Sequence, residues 1–499
     1  MKNRNVILPL TGHILNQKYP RLGPLPETTP PADTHAMQDG MPPRALVAYD
    51  DLETSENDSF PTEPISTTHT PEATVSTAEQ STAIESQEYS PTQPASYYFS
   101  PNFTLPLRPL LSTGQRYSTT VGNVLTRDSG AEEQGRRLGN WKENCFFKGL
   151  KWAPDGSCVL TSGNDNVLRT FECPASVYDH NEEFPLEPTL SVRAAESIYD
   201  FTWYPMMSAY DPATCCFLAA SRDHPLHLWD ITGSVRCSYS VFDHCDQIVG
   251  PNSVAFNPDG TKIYCGYNNM IQIFDTLRPG RASGKWPTTP TRRSREGQKG
   301  VISCLNFNFD GSLLAAGSYG CTIGLYDPNL SIPLVALLRG AVGGLTQVQF
   351  SPCGNYLFSA SRKDSDVLCW DMRNTSEVVG WMQRKLETNQ RMAFDIESSG
   401  RWLITGDQDG HLLVYSLEEL LRTQNPAPSA RMKAHEDAIG AVGFHPAGSL
   451  LATCSGQRLF EGEEEEEEEE KAAVDNSVRI WRVEGEWKAY AVEERVETG

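Results

Sequence analysis

The chain has 499 residues, 39% of them hydrophobic, and a formal net charge of −22. No apolar run approaches the ~20 residues needed to cross a bilayer, and the stretch Val6 to Leu10 is too short for a signal-peptide core and is broken by Pro9, so a soluble intracellular protein is expected. The thirteen cysteines are odd in number and form no C-x-x-C pair, which argues against a disulfide framework or a zinc site and for a reducing compartment.

In chain order, residues 1–100 come first, with five Lys/Arg and thirteen Asp/Glu, a net of −8. Residues 27–100 are rich in Pro, Thr, Ser and Glu, and no Lys or Arg occurs from Asp51 to Ser100. Such a segment buries too little apolar surface to offset its ordering entropy, so 1–100 is expected to be a disordered acidic tail. Residues 101–140 read as a linker and as one candidate for an edge strand.

From Phe147 a unit recurs seven times. It consists of an apolar strand, a corner, a second apolar strand ending in small residues, a polar turn, and a third strand closed by an aromatic. The corners carry Gly156, Gly260, Gly311, Gly354, Gly400 and Gly448, each expected to supply a tight turn. The closing aromatics are Phe171, Trp229, Phe274, Tyr326, Trp370, Tyr415 and Trp481, with Trp229-Asp230 and Trp370-Asp371 as literal Trp-Asp endings. Their intervals run from 44 to 66 residues, against about 40–45 for a WD repeat of four strands. The expected fold is therefore all-β, a seven-bladed WD40 β-propeller over residues 141–492, whose closure removes exposed sheet edges.

Runs such as Leu313-Leu314-Ala315-Ala316 and Leu450-Leu451-Ala452 lack alternation and read as strands buried on both faces. Cys158, Cys265, Cys304 and Cys369 read as small buried hydrophobes within such strands. The closing aromatics are expected to pack between blades. The fourth strand of the last blade comes either from the segment before Phe147 or from Lys488 to Val492.

The longest interval contains a second acidic run, 461–471, also net −8, which leaves only −6 for the remainder. A local basic face is compatible with that balance. The run reads as a solvated insertion loop in the last blade, or as a segment that repels polyanions or competes with them for that face.

No G-x-S-x-G, H-E-x-x-H or G-x-x-x-x-G-K-[ST] motif occurs, and no enzyme activity, cofactor or metal is expected. His435-Glu436-Asp437 resembles an acid/base cluster, but a histidine leading into a blade is expected to order a turn by bonding a later Asp. Binding is the productive reading. The turns of one rim hold Lys148, Arg222, Arg292, Arg293, Arg295, Lys299, Arg362, Lys363, Arg391 and Arg458, with Tyr319, Asn389 and Gln390 among them. Cations gathered on one rim suit a phosphate backbone, whereas pairing with Asp223, Asp364 and Asp366 makes them ordinary surface charges.

Several segments go beyond a generic repeat. They include Phe147-Lys-Gly-Leu-Lys-Trp-Ala-Pro-Asp-Gly156, Pro225-Leu-His-Leu-Trp-Asp230, Ser361-Arg-Lys-Asp-Ser-Asp-Val-Leu-Cys-Trp-Asp-Met-Arg373, Thr388-Asn-Gln-Arg391 and Ala452-Thr-Cys-Ser-Gly-Gln-Arg458. In order, over about 140–460, they resemble the telomerase Cajal body protein family. The resemblance implies a nuclear WD-repeat platform that recognises a loop motif in small Cajal body RNAs and, in animals, telomerase RNA. It also implies that the platform directs the ribonucleoprotein to nuclear bodies. Unpaired bases would be read by stacking and edge contacts, with cations on phosphates. Arg362 and Lys363 are the leading RNA candidates, followed by Arg391 and Arg222, then Lys148 and Arg458. The connection Arg339-Gly-Ala-Val-Gly-Gly344 lacks the His that the family usually carries. A splicing-linked nuclear propeller that binds only proteins, and a generic scaffold or ubiquitin-ligase adaptor, remain alternatives. No membrane or small-molecule substrate is expected among the partners.

Overall fold

The second strands of the repeats are the most completely buried elements of the chain. Cys158–Gly163, Cys216–Ser221, Leu314–Ser318 and Leu450–Ser455 are buried at every position. A strand can lose all its solvent only if sheets cover both faces, which is how blades stack around a ring. The outermost strands instead alternate, as in Gly284–Pro287 and Ala430–Lys433, where every second residue is exposed. A computed structural model describes residues 97–117 except 105 and 115, 145–458 except 175, 178–181, 243–244 and 292, and 475–489.

Seven sheets form the seven-bladed propeller, and six of them run as simple antiparallel meanders from the inner strand outwards. The inner strands are Phe147–Trp152, Ile198–Trp203, Ser253–Phe256, Ile302–Phe307, Leu345–Phe350, Phe394–Ile396 and Ile439–Phe444. At the corners after them, Gly156, Gly260, Gly311, Gly354, Gly400 and Gly448 all have φ between +71° and +79°. An L side chain is strained in that region, which is why glycine recurs there. Phe171, Phe274, Tyr326, Trp370, Tyr415 and Trp481 are buried, whereas Trp229 stays partly exposed. Asp230 and Asp371 follow their tryptophans and bind Arg236 and Arg373, at 2.6 and 2.7 Å.

The seventh blade is built from both ends of the described chain. Its inner three strands are Ile439–Phe444, Leu450–Ser455 and Val478–Arg482, and its fourth is Arg108–Ser112, antiparallel to Val478–Arg482. Phe184–Pro185, from the first blade's last loop, adds a short parallel strand outside it. Gly485–Ala489 closes no blade but pairs with Tyr97–Pro101 in a two-stranded ribbon. That ribbon corrects the boundary at residue 100, because Tyr97–Ser100 are already in a strand and Phe99 is buried against the sixth and seventh blades. The apolar residue outweighs the polar composition preceding it. Residues 1–96, 118–144 and 459–474, and with them the expected acidic tail and the acidic run, lie outside the described residues.

Polar side chains tie neighbouring inner strands together. Asp200 accepts from the Val254 amide, Asn306 from Phe350 and Asp395 from Phe444, at 2.8–2.9 Å. Gln347 both donates to the Phe394 carbonyl and accepts from its amide. Buried polar atoms cost free energy unless bonded, so these bonds fix each blade's place in the ring. One helix, Leu417–Thr423, was not anticipated; Ser416 caps it by accepting from the Glu419 amide. No disulfide joins the thirteen cysteines, and burial pushes the Cys158 and Cys304 thiols up to about 12. No helix among the described residues is long and apolar enough to cross a membrane.

Candidate nucleic-acid interface

The inner strands enclose a central channel of about 1400 Å³. Turns between second and third strands, and connections between blades, all emerge at one end of an antiparallel meander. At that mouth the lining includes Lys148, Arg362, Lys363, Arg391 and Arg458, with Lys151 deeper. Among the described residues three carboxylates share the lining, Asp200, Glu387 and Asp395. The described lining therefore holds more cations than carboxylates, in a chain that is strongly negative.

Five sequence candidates meet there, and Arg222, Arg293, Arg295 and Lys299 do not. Arg222 lies outside the channel and pairs with Asp223 at 3.2 Å, with both side chains more than half exposed. Arg293, Arg295 and Lys299 sit in the connection between the third and fourth blades and do not line it. Arg292 lies outside the described residues.

Arg362 follows the fifth blade's second strand, Tyr356–Ser361, and turns towards Tyr319. Its Nη2 donates to the Tyr319 hydroxyl at 2.6 Å, and its guanidinium lies 4.5 Å from the ring centroid. That geometry combines a hydrogen bond with a cation–π contact. Lys363, next in the turn, is exposed and has φ +52°. Asn166, Asp223, Asn269 and Cys321 occupy corresponding turns with φ between +52° and +60°. The left-handed position is thus a property of the repeat, and a lysine in it costs about 1–2 kcal/mol relative to glycine.

The missing histidine before the fifth blade has a structural answer. A Cβ on Gly343 would collide with the Arg362 carbonyl, and the Arg362 amide donates to the Gly344 carbonyl at 2.9 Å. Close backbone packing fixes the turn bearing Arg362.

Arg391 lies in the connection between the fifth and sixth blades and reaches across the mouth. It donates to the Tyr199 carbonyl of the second blade at 3.1 Å. It also donates to the Ser303 carbonyl and the Tyr319 hydroxyl of the fourth blade, at 3.2 and 3.1 Å. None of these acceptors is a carboxylate. Lys148 is half-buried on the first inner strand; burial lowers its pKa, and the Arg391 charge lowers it further against a pull from Asp165. The Asp165 carboxylate is held by Arg169.

His435, Asp475, Thr453 and Trp481 form a buried network in the seventh blade. His435 bonds Thr453 Oγ1 at 2.7 Å, Ser477 Oγ at 3.1 Å and Asp475 at 3.3 Å, while Trp481 Nε1 donates to Thr453 Oγ1 at 2.8 Å. Burial lowers the His435 pKa. Asp475 is held well below the usual carboxylate range, because bonds from His435, Ser477 and the Glu436 amide outweigh its own burial. The ring nitrogens of His435 are occupied in structure, and Asp437 accepts from Gln457 and the Ala438 amide at 2.7 Å. Asp407, Asp409 and His411 lie close enough to hold a metal ion among the described residues. However, Asp407 orders its own turn by accepting from the Asp409 and His411 amides, and Lys385 pairs with Asp409 at 2.9 Å.

Lys151, Tyr199, Asp200 and Gln347 were not singled out from sequence. The available signal was a polar residue within an inner strand, as in Ile198-Tyr-Asp-Phe201.

The repeat family described as "WD domain, G-beta repeat" matches residues 235–275, 290–327, 333–371 and 427–482. The chain is 40% identical over 332 residues to "Telomerase Cajal body protein 1" of Mus musculus, covering 64% of this chain and 62% of that protein. Its Homo sapiens counterpart is 37% identical over 381 residues, covering 71% of this chain and 69% of that one. The chain belongs to the telomerase Cajal body protein family. A "Telomerase Cajal body protein 1 homolog" of Drosophila melanogaster is 35% identical over 343 residues, 65% of this chain and 60% of that protein. The chain thus spans somewhat under two thirds of the mouse and fly members of the family.

Proposed function

We propose that this member of the telomerase Cajal body protein family is a non-catalytic nuclear platform that binds single-stranded RNA at the channel mouth. Its clients are small Cajal body-type RNAs within their ribonucleoproteins, and it directs those particles to nuclear bodies. One observation carries the reading. Lys148, Arg362, Lys363 and Arg391 have no carboxylate within ion-pairing distance among the described residues, whereas Arg169, Arg222, Arg236, Arg373 and Arg422 each have one. Unneutralised cations around an aromatic suit a phosphate backbone with an unpaired base. The relatives' printed name supplies the Cajal body and telomerase context.

A protein-only platform is the second reading. The opposite end of the propeller exposes Leu277 by 87%, Phe309 by 86% and Ile332 by 78%, which favours protein contacts there. Crosslinking and sequencing of bound RNA separates the two. Enrichment of small nuclear or Cajal body RNAs supports RNA docking, and its absence leaves the protein-only platform. Arg362→Ala with Lys363→Ala is expected to weaken RNA retention at least tenfold with the fold intact, whereas Arg222→Ala, already paired, is expected to change it less than twofold. Loss of soluble protein in the double variant would assign that pair to folding instead.

A further inference from the structure

Arg391 turns the channel mouth from an opening into a floor. Its guanidinium, carried by the connection before the sixth blade, is bonded to the second and fourth blades at once. These blades are spread around the ring, so the guanidinium spans the mouth and a strand cannot thread past it. A ligand must lie across it.

Lys148 lines the same channel, and the Arg391 charge acts on it. Among the described residues Lys148 makes no hydrogen bond and no ion pair. Burial and the Arg391 charge both lower the Lys148 pKa, against a pull from Asp165, whereas Tyr319 and Asp200 hold Arg391 charged despite its burial. The nearest carboxylate acting on Lys148, Asp165, is committed to Arg169, whose guanidinium is in turn fixed over the Tyr117 ring at 4.8 Å. Asp200 is committed to Lys151 and to the Val254 amide. Among the described residues, each carboxylate that acts on the pair, Asp165 on Lys148 and Asp200 on Arg391, is thus shared with another cation.

We propose that Lys148 and Arg391 form an anion subsite at the centre of the channel mouth, which seats one backbone phosphate of the bound single strand. The inference rests on the RNA-docking reading and divides the labour within it. The central pair holds a phosphate, while Arg362 and Tyr319, stacked at the edge of the mouth, face the base or sugar beside it. A phosphate suits the pair better than a base edge, because ammonium and guanidinium groups offer only donors and two positive charges.

The test uses the full chain and a short single-stranded RNA chosen from crosslinked sequences, with neutral methylphosphonate placed at one linkage at a time. Lys148→Met is expected to weaken binding of the unmodified RNA roughly tenfold and to flatten the salt slope by about 0.7. It is also expected to lose that effect with the RNA neutralised at one particular linkage. Lys148→Arg, which retains the charge, keeps both the affinity and that coupling. Should Lys148→Met fail to fold, Lys148→Gln is measured in the same way.

Unchanged affinity in the neutral variants, or an equal loss at every linkage, overturns the subsite. So does a polyglutamate peptide that binds the wild-type protein more tightly than RNA does and is released by Lys148→Met, which would make the site one for carboxylates. Failure of the wild-type chain to bind any of the RNAs would instead overturn the underlying RNA reading.

Discussion

At the scale of single residues, the same side-chain types do opposite work according to what lies within reach. Arg222 and Arg362 occupy equivalent turns of the second and fifth blades, each following a buried strand. Arg222 meets a carboxylate in the next residue, whereas Arg362 meets a phenol from the neighbouring blade. Only the second arrangement keeps its full charge for a ligand. His435 shows the converse, a residue with the look of a catalyst whose nitrogens are consumed by structure. His435→Ala is expected to cost about 3 kcal/mol, since it strips a partner from buried Asp475 and Thr453. Denaturant unfolding measures this loss.

The same network sets a pH dependence. Burial lowers the folded pKa of His435, so below about 6.5 the unfolded chain takes up a proton that the folded chain resists. Stability therefore falls as pH drops through that value. Asp475, also depressed, adds a further loss below about 4. Melting temperature against pH is expected to decline from about pH 6.5 downward in the wild type and to stay flatter over pH 5–6.5 in His435→Ala. Identical profiles would dissociate His435 from acid lability.

At the scale of elements, the decisive strand is Arg108–Ser112. It comes from far upstream and completes the blade whose other three strands end the repeat array. Leu110 and Leu111 anchor it within the core shared by the first and seventh blades. Leu110→Ala is expected to destabilise by about 2–5 kcal/mol, and deletion of 97–112 to abolish cooperative melting, because the ring then has an open edge. Truncation before residue 97 is expected to leave the melting temperature within about 2 °C, judged by calorimetry. A large loss on that truncation would refute the reading of the tail as dispensable to the fold.

At the scale of the whole molecule, a formal charge of −22 coexists with a channel whose described lining holds more cations than carboxylates. If the central pair seats one phosphate and Lys363 a second, the logarithm of RNA affinity should fall against that of salt with a slope of about −1.4. A slope near −8 would mean that phosphates follow a wider path than the mouth. Titration by anisotropy across a salt series decides between them.

The fold was largely legible along the chain, because corner glycines, unalternating second strands and closing aromatics are each dictated by local backbone geometry and burial. These features recur at a readable spacing and need no knowledge of distant partners. Family resemblance was legible for the same reason, through short segments in order. Neither the choice of Arg108–Ser112 over the C-terminal strand nor the strand at Tyr97–Pro101 could be read so, since both depend on pairing across almost the whole chain. Among the ten rim cations, Arg222 and Arg391 ranked together in sequence. Tertiary structure alone separated Arg222, neutralised by its neighbour, from Arg391, which reaches over the mouth to two other blades, because charge compensation is set by distance in space and not by position along the chain.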